Sequence, residues 1–186
     1  MVEKQVMLTP SKITAWLECE HYLTLKINDE LRPKKEWIKK VAVKQEPNSG
    51  LMAPPEDFAD MLRKKGDLHE QRCLSRYKET FPNSVFEVPE RNEAGYENFT
   101  EWVQRIGNPM EENYSVIFQM PFIHEGIRGV ADFLLREEYG NGKVAYEPVD
   151  SKLSRTGAKQ GHLLQLLFYA EALEAKTGIR PRQVHV

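Results

Sequence analysis

Apolar side chains recur at three- and four-residue steps through the first part of the chain and crowd into strand-like runs after Tyr114. Behind Thr9-Pro10-Ser11, which suits an N-cap with proline in the first turn, Ile13, Trp16, Leu17 and Leu23 keep helical spacing and predict a helix to about Asn28. From Arg32 to Pro55, several lysines and four prolines come with few apolar side chains, which predicts a flexible basic connection over 32–55. Phe58, Met61, Leu62, His69, Cys73 and Tyr77 then trace one face of a second helix from about Pro55 to Thr80, weakened in its middle by Gly66. Val85 to Val88 reads as a short edge strand, and Phe99, Trp102, Val103 and Ile106 as a short helix stopped by Gly107-Asn108-Pro109.

Three strand-like runs follow, Tyr114 to Phe122, Ile127 to Glu137 and Lys143 to Lys152. The last two flank Tyr139-Gly140-Asn141-Gly142, which has hairpin chemistry, so an antiparallel meander is expected. Leu163, Leu166, Leu167, Ala170 and Leu173 keep helical period over Gly161 to Thr177, with Gly178 as the stop. Gln183 to Val186 begins like a further strand, which suggests a fragment lacking C-terminal residues, although a C-terminal edge strand fits the same pattern. With 186 residues and 40% apolar side chains, one α/β domain over 1–186 is the expectation.

A formal net charge of -2 gives no global basic footprint, so any contact with nucleic acid must rest on local patches. Two such runs exist: Lys34, Lys35, Lys39, Lys40 and Lys44, and Arg63, Lys64, Lys65, Arg72 and Arg76. Charge runs are more often solvated faces, and Arg155 and Lys159 are the better candidates for holding a phosphate backbone. Two cysteines, Cys19 and Cys73, make neither a disulfide framework nor a paired zinc motif and favour a reducing compartment, with the cytoplasm as default. No run of ~18 apolar residues predicts a membrane span.

Asp132 interrupts Val130-Ala131-Asp132-Phe133-Leu134-Leu135, a run that otherwise reads as a strand buried on both faces, where a carboxylate is costly. Folding the hairpin about Asn141 sets Asp132 opposite Asp150, since each lies nine residues from that centre. A bulge in the Gly-Asn-Gly turn would shift this register by one. Two carboxylates at one spot repel unless a cation lies between them, and Mg²⁺ or Mn²⁺ takes oxygen ligands of this kind. The period of two puts Lys152 on the face of Asp150, with Ser151 pointing away. A lysine there can assist attack on a phosphodiester; the same spacing also fits a salt bridge inside a sheet.

Gly66-Asp67-Leu68-His69-Glu70 in a helix, Gly129-Val130-Ala131-Asp132 in a strand, Val149-Asp150-Ser151-Lys152 in the next strand, and Gln165 with Tyr169 in the following helix occur in this order. The set resembles the RecB-type branch of the PD-(D/E)XK nucleases, a group that includes enzymes attached to helicases or used in CRISPR adaptation. The resemblance implies a restriction-endonuclease-like α/β core: a central mixed sheet with an antiparallel hairpin, flanked by helices, after an N-terminal helical part. It implies that His69, Asp132 and Asp150 hold Mg²⁺ or Mn²⁺, that Asp150 helps place the water, and that Lys152 assists the attack. Gln165 and Tyr169 match the branch's Gln-x-x-x-Tyr signature and share a helix face, as would a polar strip at the edge of solvent. His69 has an alternative as a hydrogen-bonded core histidine, and Glu70 reads as a helix-surface charge. Leu8-Thr9-Pro10-Ser11-Lys12-Ile13 with Cys19 also resembles this branch, in which an early cysteine can join three late ones on an iron–sulfur cluster; the late trio is missing here, so a cluster is expected only in a longer form of the protein. Plain core packing suits Cys19 as well.

The function so implied is a metal-dependent deoxyribonuclease, of exonuclease or flap type, in DNA repair or recombination. Its partner would be DNA, single-stranded or with free ends, with a helicase or further domain of the same polypeptide as a second partner. The alternative is a non-catalytic DNA-binding or assembly module of a larger helicase-nuclease, and RNA cleavage would use the same chemistry.

Overall fold

The structure is a computed structural model and describes residues 7–18, 21, 24, 56–140, 142–151 and 160–186. In chain order it contains α1 (Pro10–Glu18), α2 (Glu56–Thr80), β1 (Val85–Glu87), α3 (Phe99–Ile106), a 3₁₀ turn (Pro109–Glu112), β2 (Val116–His124), β3 (Ile127–Glu138), β4 (Val144–Val149) and α4 (Gln160–Thr177). His21 and Thr24 are helical too; the basic connection over 32–55 lies outside the described residues. The fold is therefore α/β, with a mixed sheet of four strands in the order β1-β2-β3-β4 and helices around it. Among the described residues no helix is long and apolar enough to cross a membrane.

β1 runs parallel to β2, whereas β2, β3 and β4 form the expected antiparallel meander. The side-chain period of two sorts this sheet into two faces. Val116, Phe118 and Phe133 meet Leu74, Cys73 and Tyr77 of α2 on one side, with the Tyr77 and Phe133 rings 5.0 Å apart. Ile117, Leu134 and Tyr146 meet Phe99 and Trp102 of α3 and Phe168, Tyr169, Ala172 and Leu173 of α4 on the other. Among the described side chains of α2, Cys73, Leu74 and Tyr77 pack in this way, whereas Met61, Leu62 and Leu68 are exposed. On α4 the apolar period misassigns two members: Leu166, Ala170 and Leu173 are buried, but Leu163 and Leu167 face outward.

Local chemistry explains the element ends. α3 begins with a capping box, in which the Asn98 side chain accepts from Glu101 N–H and Glu101 returns the bond to Asn98 N–H. Helix α1 and helix α4 approach closely at Gly161, where a Cβ would come within 2.5 Å of the Thr14 methyl. The segment leading into α1 is hooked to the sheet by a parallel bridge between Leu8 and Ile127. At the other edge His185 bridges Val149 in parallel, so the strand-like tail adds a single rung beside β4.

Candidate metal centre

The hairpin register settles where the two aspartates lie. β3 pairs with β4 as Phe133↔Val149, Leu134↔Pro148 and Leu135↔Glu147, out to Glu138↔Val144. One further step of that register sets Asp132 against Asp150, the arrangement that symmetry about Asn141 predicts. Both side chains are withdrawn from water, Asp132 at 8% and Asp150 at 1% exposure. A nearby tyrosine carries a second sign of the juxtaposition. Burial, foremost, and then the nearby charges of Asp132 and Asp150 push the Tyr169 phenol well above its ordinary pKa.

β4 ends at Val149 rather than Lys152, because the Ser151 N–H, which would continue the ladder to β3, is taken up by a side chain. Asp150 N–H donates to His185 O (2.9 Å), while Ser151 N–H donates to Asp132 Oδ2 (2.8 Å). Ser151 was expected to point away; instead its hydroxyl also lies 3.1 Å from Asp132 Oδ2. The period of two applies only while the strand lasts, and here the chain turns inward one residue early. Two donors thus hold Asp132 in one orientation.

α4 supplies the opposite wall. Gln165 Nε2 lies 3.4 Å from Asp150 Oδ1 and 3.4 Å from Tyr169 OH, and the Tyr169 hydroxyl donates to Val130 O at 2.6 Å. The pair expected from the Gln-x-x-x-Tyr spacing therefore faces the aspartates and not a solvent strip. Gly129 makes this contact geometrically feasible, since a Cβ there would meet the Tyr169 hydroxyl at 2.9 Å and Phe168 at 3.1 Å.

β2 contributes a feature that sequence reasoning missed. The β2–β3 ladder passes from Phe118↔Phe133 to Met120↔Ala131 and skips the intervening pair, Gln119 and Asp132. Gln119 there has φ +60°, a left-handed conformation uncommon for a residue with a side chain. Its amide donates to Glu70 Oε2 (2.8 Å), so Glu70, expected to be a surface charge, is half-buried and ties α2 to the strand next to Asp132. The interruption in the ladder was the signal to look for, but it depends on β2 and β3 together and leaves no trace in either strand alone.

His69, one residue before Glu70, is half-buried with its Nε2 3.8 Å from Cys73 Sγ. Among the described residues no group of three or more His, Cys, Asp and Glu side chains converges, so the cluster is a pair of aspartates with polar neighbours. Lys152, Arg155, Lys159 and Cys19 lie outside the described residues. A third buried carboxylate, Glu147 at 4% exposure, has its own partners: Tyr139 OH donates to one oxygen (3.0 Å) and His185 Nε2 to the other (2.8 Å).

The donor set suits a hard divalent cation. Two carboxylates brought close together repel, which is a cost to the fold. An oxygen-seeking cation offsets that cost and uses one or two carboxylates with waters and phosphate oxygens as its remaining ligands. Comparison of the chain with protein-family models, with curated proteins and with solved structures finds no match.

Proposed function

We propose that the protein is a divalent-metal-dependent deoxyribonuclease with a restriction-endonuclease-like core, acting on single strands or free ends in DNA repair or recombination. The observation that carries this reading is the β3–β4 register, which one step past Phe133↔Val149 sets Asp132 beside Asp150, both buried, with Gln165 against Asp150 and Tyr169 against Gln165. Asp132 and Asp150 would hold Mg²⁺ or Mn²⁺, with His69 as the further ligand that the resemblance implies. Such an ion, when bound, supplies Lewis-acid stabilisation of charge growing on a phosphoryl oxygen.

The protein's own groups have separable tasks. Ser151 orients Asp132 through its N–H and hydroxyl. Gln165 positions Asp150. Tyr169 stays a neutral donor and fixes β3 to α4 through Val130. Lys152, two residues after Asp150, is assigned to assist the attack and to neutralise charge on the scissile phosphate.

Incubation of the full chain with Mn²⁺ and end-labelled single-stranded and duplex DNA tests this. Cleavage is expected, with a loss on the order of 10²–10³-fold in Asp150→Ala, the scale of removing one group that stabilises developing charge. Equal background in wild type and Asp150→Ala ends the proposal.

A further inference from the structure

Arg128 stands at the start of β3, its guanidinium carbon 5.2 Å from the centre of the Phe99 ring. The chain entering α1 is fastened to the same spot, with Leu8 N–H donating to Gly126 O (3.1 Å) and Arg128 N–H donating to Leu8 O (2.8 Å). Those two bonds bring the first turn of α1 beside Arg128. Arg91, from the segment after β1, closes the space from another side. The result is a cleft of about 520 Å³ whose walls include Thr9, Ser11, Arg91, Arg128, Gln165 and Tyr169. Gln165 and Tyr169 also contact the aspartate site, so cleft and site share a wall.

The two arginines are not equivalent. Arg91 is ion-paired with Glu93, another residue of the cleft wall. Arg128 is half-buried and, among the described residues, has no carboxylate within salt-bridge distance. Its contact with an aromatic face offsets only about 0.5–1 kcal/mol of the water it has lost. A guanidinium so placed favours an anion, and its planar fork fits two oxygens of a phosphate. The start of α1 adds the positive end of a helix dipole, and Thr9 and Ser11 add hydroxyls.

We propose that this cleft is a phosphate-binding subsite for the nucleic-acid strand, with Arg128 as its anchor and Arg91 as a second cation. It rests on the nuclease reading and extends it: one phosphate held here positions the strand so that a neighbouring phosphodiester lies over Asp132 and Asp150. Phosphate contacts of this kind fix register without reading sequence. A terminal phosphomonoester and an internal phosphodiester offer the same oxygens to the fork.

The test uses the full chain in EDTA and follows the anisotropy of a short single-stranded oligonucleotide, labelled at its 3′ end and carrying either a 5′ phosphate or a 5′ hydroxyl. Arg128→Gln is expected to weaken binding by about tenfold and to flatten the salt dependence by about one charge. Arg180→Gln, at an exposed arginine facing Glu174 across 3.6 Å, should bind like wild type. A loss restricted to the phosphorylated oligonucleotide assigns the subsite to a strand end, and a loss with both assigns it to an internal phosphate; each supports the proposal. Wild-type affinity in a folded Arg128→Gln, or no binding by wild type at low salt, overturns it. Should circular dichroism show Arg128→Gln unfolded, Arg91→Gln is measured in its place with the same outcomes. Cleavage is scored separately in Mn²⁺. Binding that ignores Arg128 beside cleavage that needs Asp150 removes the subsite alone, whereas binding that needs Arg128 without any cleavage removes the nuclease alone.

Discussion

Tyr169 joins the packing of α4 to the edge of the aspartate pair. Its ring sits 5.3 Å from Phe168 and 6.1 Å from Phe122, and its hydroxyl bridges α4 to the carbonyl of Val130. A folded-state pKa above the ordinary 10.0 means that the native protein keeps a proton which the unfolded chain releases first. The stabilisation linked to that proton is complete below pH 10 and is lost as pH rises through the folded value. Tyr169→Phe should cost about 1 kcal/mol near neutrality, and urea unfolding should show the difference from wild type shrinking above pH 10. A difference independent of alkaline pH would place the hydroxyl in water.

Residue identities at the site were legible where a simple count sufficed. Asp132 and Asp150 could be paired from their equal distance to Asn141, and Gln165 and Tyr169 from a spacing of four on a helix. Ser151 was misread because a period of two holds only inside a strand, and the strand ends where Asp132 Oδ2 takes the Ser151 N–H. Nothing near Ser151 announces a bond to the side chain of Asp132 on the preceding strand.

Among the elements, α3 and the loop before it illustrate short-range coding. The capping box, the apolar pair Phe99 and Trp102, and the stop at Gly107, which has φ +69°, are all local, and the helix spans the residues that its periodicity predicts. Glu97 anchors the preceding loop: Arg105 reaches it with two nitrogens at 2.7 and 3.0 Å, and Asn92 N–H donates to it at 2.8 Å. The Arg105 bond first, then the Asn92 bond, lower the Glu97 pKa to about 2. A depressed carboxylate contributes stability above its ordinary value of 4.5 and loses it as pH falls through about 2. Denaturation of wild type and Glu97→Gln at graded pH should therefore show their difference closing between those limits. Because this loop carries Arg91 and Glu93 to the proposed phosphate cleft, the same variant should also loosen oligonucleotide binding.

β2 teaches the opposite lesson. Gln119 is a polar residue in an apolar strand, a pattern that ordinarily means a solvent-facing position. Its positive φ, its bond to Glu70 and the break in pairing opposite Asp132 arise from contacts among α2, β2 and β3. Strained backbone of this kind persists only where the surroundings over-determine it, at a cost of order 1–3 kcal/mol.

At the scale of the molecule, helices on both faces of the sheet enclose the ends of β3 and β4, and the proposed divalent cation would bind at the aspartate pair there. Mn²⁺ at a hundredfold excess over its Kd should add about 2.7 kcal/mol of stability and raise the Tm by several degrees in a thermal-shift measurement. Asp132→Ala should abolish that increment. An identical increment in the variant would move metal binding elsewhere.

The chain's own pattern determined the kinds and order of the described elements, the antiparallel meander, the hairpin centre and the helix carrying Gln165 and Tyr169. These follow from periodicity, turn chemistry and capping, all of which act over a few residues. Only the tertiary structure decided that Ser151 donates to Asp132, that Glu70 reaches Gln119, that Met61, Leu62 and Leu68 of α2 stay exposed, and that Arg128, Arg91 and the start of α1 share one cleft. Those contacts join residues from separate elements, and their energies come from burial and electrostatics in a space that does not exist until the sheet and its helices have closed around it.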